Sequence, residues 1–209
     1  MKLLNADPYV GFDTKNRSVD LSGWMQIKPV DVFKTLILEV KPEIIIEVGT
    51  WKGLSAIHMG KIIKENNLKC KIYCVDTWLG CLRFLIDDNE RMNLQCLNGY
   101  PTVYYQFLHN VISCEMADII KPIPNTSSIA CQLFHHHKIK ADLIFIDGSH
   151  SYRDVLLDIR NYQSLLNKNG VMFGDDYGKG FPAVIRAVND YARIHDKEIE
   201  TIMKYWIYR

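Results

Sequence analysis

"IIIEVGTWKGLSA", residues 44–56, is the stretch whose reading decides the fold. Three consecutive isoleucines leave no polar face, so this strand is buried on both sides, as strands are in a parallel sheet covered by helices. It stops on Glu47, turns through Gly49 and enters a helix at Gly53. Glycine at 49 gives access to backbone conformations closed to other residues and lets a ligand approach the chain. The free N–H groups of a helix beginning at Gly53 favour an anion, and Ser55 adds a hydroxyl donor in the first turn. The alternative is a tight turn that holds no ligand.

Working outward, apolar runs alternate with amphipathic stretches. Strands are predicted at 43–48, 71–76, 117–123, 141–147 and 170–175, and helices at 29–40, 53–66, 128–138, 152–166 and 181–195. Residues 80–114 read as irregular and partly helical, a long insertion suited to a lid or substrate wall. The tail "EIETIMKYWIYR" reads as two short strands. This order predicts one α/β domain over 1–209: a doubly covered, mostly parallel sheet, with residues 1–41 forming an N-terminal lid and helix.

Several strands end in an acid: Glu47, Asp76, Asp147 and Asp175. In an open parallel sheet the ligand lies beyond the carboxyl ends of the strands. Four acids at that edge repel one another unless a cation or hydrogen-bond donors meet them. Taken singly, each could cap the next helix or turn. Asp76 ends the second strand, where an acid can accept both ribose hydroxyls. The turn at 47–53 is E-x-G-x-x-x-G rather than the closely spaced G-x-G-x-x-G of pyrophosphate binders. S-adenosylmethionine, with an amino-acid end and a ribose, therefore fits better than NAD.

The chain has 209 residues, 48% hydrophobic and 23% charged, with a net charge of +1. That composition supports a sizeable core and offers no broad basic field for a nucleic-acid backbone. The start "MKLLNADPYVGFD" lacks the apolar run of a signal peptide, and no stretch is apolar for the ~18–20 residues that cross a bilayer, so no membrane partner and a cytoplasmic setting are expected. The six cysteines lack zinc-finger spacing and read as free thiols. "FHHHK", 134–138, reads as a solvated helix end. Aromatic segments near 100–107 and 205–208 suit either core or a homo-oligomer interface.

Over residues 43–178 the motifs "EVGTWKGLSA", "VDTWLG", "PIPNTSSIACQLF", "ADLIFIDGSHSYRDVLLDI" and "GVMFGDDY" resemble the class I S-adenosylmethionine-dependent methyltransferases. They are similar in particular to the metal-dependent O-methyltransferases of catechols and macrolide sugars. The resemblance implies a Rossmann-like fold with a mostly parallel seven-stranded sheet. It implies that Glu47, Gly49, Trp51 and Ser55 line the methionine end of the cofactor, that Asp76 binds the ribose, and that Trp78 lies against the adenosine. Ser127 and Ser128 would sit at the adenine. The two tryptophans could instead be core aromatics, and either serine a helix N-cap.

The same resemblance implies a metal at Asp147, Asp175 and Asp176, where neighbouring parallel strands end about 5 Å apart. Oxygen ligands suit Mg²⁺. His150, three residues after Asp147, would be the base that deprotonates an acceptor hydroxyl, and Asp147 would orient it with the metal. Tyr152, Arg153, Tyr177 and Lys179 could touch substrate, and Trp24 could fold over the cofactor. The expected acceptor is a hydroxyl of a small molecule or sugar. Metal-free methyl transfer and cofactor binding without turnover are the alternatives.

Overall fold

The computed structural model describes residues 3, 6–15 and 17–209. The opening residues read for a leader fall partly on 1, 2, 4 and 5, outside the described residues. Strand β1, Ile44–Val48, is followed by α2 (Leu54–Glu65), β2 (Lys71–Asp76), and the short helices α3 (Leu82–Ile86) and α4 (Asp88–Arg91). Helix α1 (Val32–Val40) precedes them. Then come α5 (Val103–Ser113), β3 (Ile120–Pro124), α6 (Ser127–His136), β4 (Ala141–Ile146) and α7 (Tyr152–Gln163). The chain ends with β5 (Leu166–Gly174), α8 (Pro182–His195), β6 (Glu200–Ile202) and β7 (Tyr205–Tyr208).

The seven strands form one sheet in the order β3-β2-β1-β4-β5-β7-β6. The first five are parallel, and β7 runs antiparallel between β5 and β6. Alternate residues of each strand point to opposite faces. Ile45, Ile72, Leu143, Phe145 and Phe173 join one buried cluster under α1, α2 and α5. Ile46, Val75, Ile144, Ile146 and Met172 join the other, under α6, α7 and α8. Burial on both faces is why these strands read as unbroken apolar runs.

Beyond shifts of up to three residues at element ends, two segments differ from the sequence reading. Strand β5 begins at Leu166, because Leu166 pairs with Ala141 before a register shift; the exposed Asn167–Lys168–Asn169 between them carry no strand pattern. Within 80–114, residues 103–113 form a regular helix. Its buried Gln106, His109 and Asn110 interrupt the apolar stripe that would have announced it.

Chain order reverses between β1 and β4: β2 and β3 lie on one side, β5 and β7 on the other. In an open parallel sheet this switch point, at the carboxyl edge, is where a ligand crevice is expected. An N-terminal strap crosses the same edge. The buried Lys52 ammonium holds Asp20 at 2.6 Å and Ser22 Oγ at 3.0 Å. Asn110 Nδ2 donates to the carbonyls of Asp20 and Lys52. Farther along, Tyr205 Oη donates to the Gln26 carbonyl at 3.1 Å.

Candidate active site

The turn after β1 is built around two carboxylates. Glu47, fully buried, accepts from the hydroxyls of Thr50 (2.8 Å) and Ser55, and faces the Cys74 thiol at 3.4 Å. Burial, against these hydrogen bonds, pushes its carboxyl up to about 7. Asp76 Oδ2 accepts the backbone N–H groups of Thr50 and Trp51, each at 2.9 Å, and Oδ1 accepts that of Trp78 at 2.8 Å. Asp76 thus shapes the turn: Oδ2 is filled by its two bonds, and Oδ1 keeps lone-pair capacity.

The glycines of this turn meet protein. A Cβ on Gly49 (φ +85°) would lie 2.1 Å from the Asp147 carbonyl oxygen, and one on Gly53 (φ +88°) would lie 3.0 Å from the Phe107 ring. Gly49 lets the loops after β1 and β4 touch at the switch point, which brings the turn beside the second acidic group.

Trp51, itself at φ +52°, stacks on Phe84 at 4.7 Å, tying the turn to the 80–102 segment. Trp78 is 2% exposed, wedged against Tyr104 and Phe107, with Nε1 donating to the Trp51 carbonyl at 2.7 Å. It supports the turn from below, and neither ring face is open. Ser127 and Ser128 open α6, but the cap is Thr126, whose Oγ1 accepts from Ile129 N. The Ser127 carbonyl accepts from Tyr162 Oη of α7 at 2.9 Å, and on the same helix burial pushes the Asp158 carboxyl up to about 6.

The second acidic group lies at the ends of β4 and β5. Asp147, His150 and Asp176 each offer one ligand atom, and these atoms lie within 4.8 Å of one another. His150 Nε2 is 2.7 Å from Asp176 Oδ2, and the imidazole packs against Phe181 with centroids 4.7 Å apart. A capping arrangement holds the loop: Ser151 Oγ caps α7 and donates to Asp154, as does Ser149 Oγ. Burial, then the charges of Asp175 and Asp176, raise the Asp147 carboxyl well above its ordinary range.

Asp175, expected with Asp147 and Asp176, does not join them. Its Oδ2 pairs with the Lys204 ammonium at 2.6 Å, and its Oδ1 accepts the Asp176 N–H at 2.6 Å. His150 completes the group instead. Lys204 and the Thr50 hydroxyl went unread in the sequence. A single lysine in a hairpin has no spacing signature, whereas Thr50, three residues after Glu47, sits within reach of a buried acid. Tyr152 and Tyr177 turn away, their hydroxyls meeting Asp190 and Asn189 of α8 at 3.0 Å. Trp24 is 65% exposed on the strap.

Residues 46–177, more than half of the chain, match the sequence profile of a family described as a methyltransferase domain. The chain belongs to this methyltransferase family. Its fold, a mostly parallel seven-stranded sheet covered by helices, is that of solved methyltransferase structures. Among solved structures, the fold is similar to CalS11, a calicheamicin methyltransferase (TM-score 0.61, 16% identity, 85% of this chain and 75% of that one). It is similar also to the O-methyltransferase NovP (TM-score 0.59, 18% identity, 85% and 77%). A third likeness is to an O-methyltransferase from Bacillus cereus in complex with SAH (TM-score 0.57, 12% identity, 84% and 78%). A curated relative, the uncharacterized protein y4gI of Sinorhizobium fredii, is 24% identical over 155 residues. That match takes in 74% of this chain but only 15% of the relative. Among the described residues of this methyltransferase, no helix is long and apolar enough to cross a membrane.

Proposed function

We propose that this methyltransferase transfers the methyl group of S-adenosylmethionine to a hydroxyl of a small molecule or sugar, assisted by a divalent cation such as Mg²⁺. The observation that carries the reading is the convergence of Asp147, His150 and Asp176 beside the β1 turn. Carboxylate oxygens are the donors a hard divalent cation takes, and the imidazole beside them is a base. Asp147 and Asp176 would hold the cation, with Asp175 as the third carboxylate of the edge, and when bound it would lower the pKa of the acceptor hydroxyl. The O-methylation of a sugar is what CalS11 is described as doing, as a TDP-rhamnose 3′-O-methyltransferase, and NovP is an O-methyltransferase.

The chain's own residues then divide the work. The turn at 47–55 and Asp76 would hold the methyl donor, Glu47, Gly49, Trp51 and Ser55 facing its methionine end. Ser127 and Ser128 would border the adenine, with Trp78 supporting the turn. His150 takes the hydroxyl proton on its exposed imidazole, and Asp176, 2.7 Å away, offsets the charge that results. Holding the hydroxyl oxygen and the sulfonium methyl in line supplies much of the acceleration.

A second reading, methyl transfer without metal, is favoured by one feature: Lys204 already brings a positive charge to Asp175. The experiment that separates them is a methyl-transfer assay over hydroxylated acceptors, with chelator and with Mg²⁺. His150→Ala and Asp147→Asn should lose turnover by about 10²-fold or more while S-adenosylmethionine binding persists. Turnover that survives chelator favours the metal-free reading, and wild-type turnover in His150→Ala removes the base.

A further inference from the structure

Lys204 lies in the two-residue turn between β6 and β7, beside Met203, whose φ of +58° makes the tight reversal. The turn is pinned to the loop after β5, since Tyr177 N donates to the Lys204 carbonyl at 2.8 Å. The side chain runs inward and is 25% exposed. Its ammonium meets Asp175 Oδ2 at 2.6 Å, the Trp24 carbonyl of the strap at 3.4 Å and the face of Tyr205 at 5.7 Å. Asp175 is 3% exposed in its side chain and has no other cationic partner among the described residues.

Asp175 and Asp176 are consecutive at the end of β5, and Asp176 reaches the Asp147–His150 group while Asp175 is drawn to the lysine. We infer that Lys204 is a tethered cation that competes with the divalent metal for Asp175, and that metal entry expels its ammonium from the acidic edge. This rests on the metal-assisted reading above. The physical ground is charge exclusion. An ammonium is a compact point charge, and it cannot share a buried carboxylate with a dication without strong repulsion. One carboxylate thereby alternates between an internal partner and an external one. The same ammonium touches the strap, so its departure also removes its contact with the Trp24 carbonyl.

The test uses the full chain, stripped with chelator, and Mn²⁺ alone as probe. Isothermal titration is run on wild type, Lys204→Met and Lys204→Arg, each checked for native circular dichroism. Lys204→Met should bind Mn²⁺ about tenfold more tightly than wild type, and Lys204→Arg should stay near wild type. In the wild-type chain, saturating Mn²⁺ should raise acetylation of Lys204 by an N-hydroxysuccinimide ester several-fold, read by mass spectrometry of the C-terminal peptide. Equal Mn²⁺ affinities in wild type and Lys204→Met would overturn the competition, and so would Mn²⁺ binding that leaves Lys204 labelling unchanged. If folded wild type and folded Lys204→Met both ignore Mn²⁺, the metal-assisted reading falls, and the competition falls with it. If Lys204→Met does not fold, the wild-type labelling decides alone.

Discussion

At the scale of single residues, Glu47 carries the sharpest consequence. It is fully buried and held by two hydroxyls and a thiol, with no cationic partner among the described residues. Its folded-state pKa is raised from 4.5 to about 7, with burial the largest cause. The native chain therefore keeps a proton on Glu47 across a window in which the unfolded chain has released it. Folding takes up that proton, so stability is highest below the unfolded value, falls as pH rises from about 4.5 to 7, and is level above. A tenfold change in proton affinity is worth about 1.4 kcal/mol, so the swing from this one group is on the order of 3 kcal/mol. Urea unfolding of wild type and Glu47→Gln at pH 5 and pH 8 tests it. The amide keeps the shape and cannot titrate, so the variant should lose the Glu47 share of the wild-type difference between the two pH values, while the raised Asp147, Asp158 and Asp175 keep the rest. An unchanged difference would place the titration elsewhere.

At the scale of elements, the strap is held by an unequal pair. The Lys52 side chain is 4% exposed, while Asp20 is 32% exposed. Removing Asp20 strands a buried ammonium, whereas removing the ammonium leaves a carboxylate that water can reach. Asp20→Ala should therefore cost roughly 3 kcal/mol in urea unfolding and Lys52→Met only about 1. Equal costs would mean that the pair is solvated in solution. This clasp also shows where the sequence stops being legible. Strands β1, β2 and β4, buried on both faces, announce themselves as apolar runs, and their terminal acids mark the edge where the site lies. Asp147, His150 and Asp176 could be named because "IDGSH" and "GDDY" follow such strands. What joins distant segments leaves no local pattern. Lys52 to Asp20, Asn110 to both, and Lys204 to Asp175 depend on which loops the sheet order brings together. Trp78 is open to two readings for the same reason. A tryptophan after a strand looks alike whether α5 covers it or a ligand does, and here α5 covers it.

At the scale of the molecule, the carboxyl edge is a surface of stored repulsion. Asp147 and Asp175 are both raised by burial, Asp175 to about 6, and Glu47 stands behind them. Partners that bind the folded edge and not the unfolded chain stabilise it by mass action, about 2.7 kcal/mol at a hundred times the dissociation constant. For a chain of this length that is an upward shift in melting temperature of roughly 5–10 °C. S-adenosylhomocysteine, added to the chelator-treated chain, should give such a shift. Its failure to do so at any concentration would remove the methyl-donor site from the crevice. A divalent cation has a further requirement, since its ligands must first lose their protons. With Asp175 ionising near pH 6 and Asp147 raised well above its ordinary range, the cation competes with protons below neutrality. The Mn²⁺-induced shift should therefore be larger at pH 8 than at pH 5.5. Differential scanning fluorimetry over that range reads it. A Mn²⁺ shift as large at pH 5.5 as at pH 8 would place the cation on groups other than these buried carboxylates.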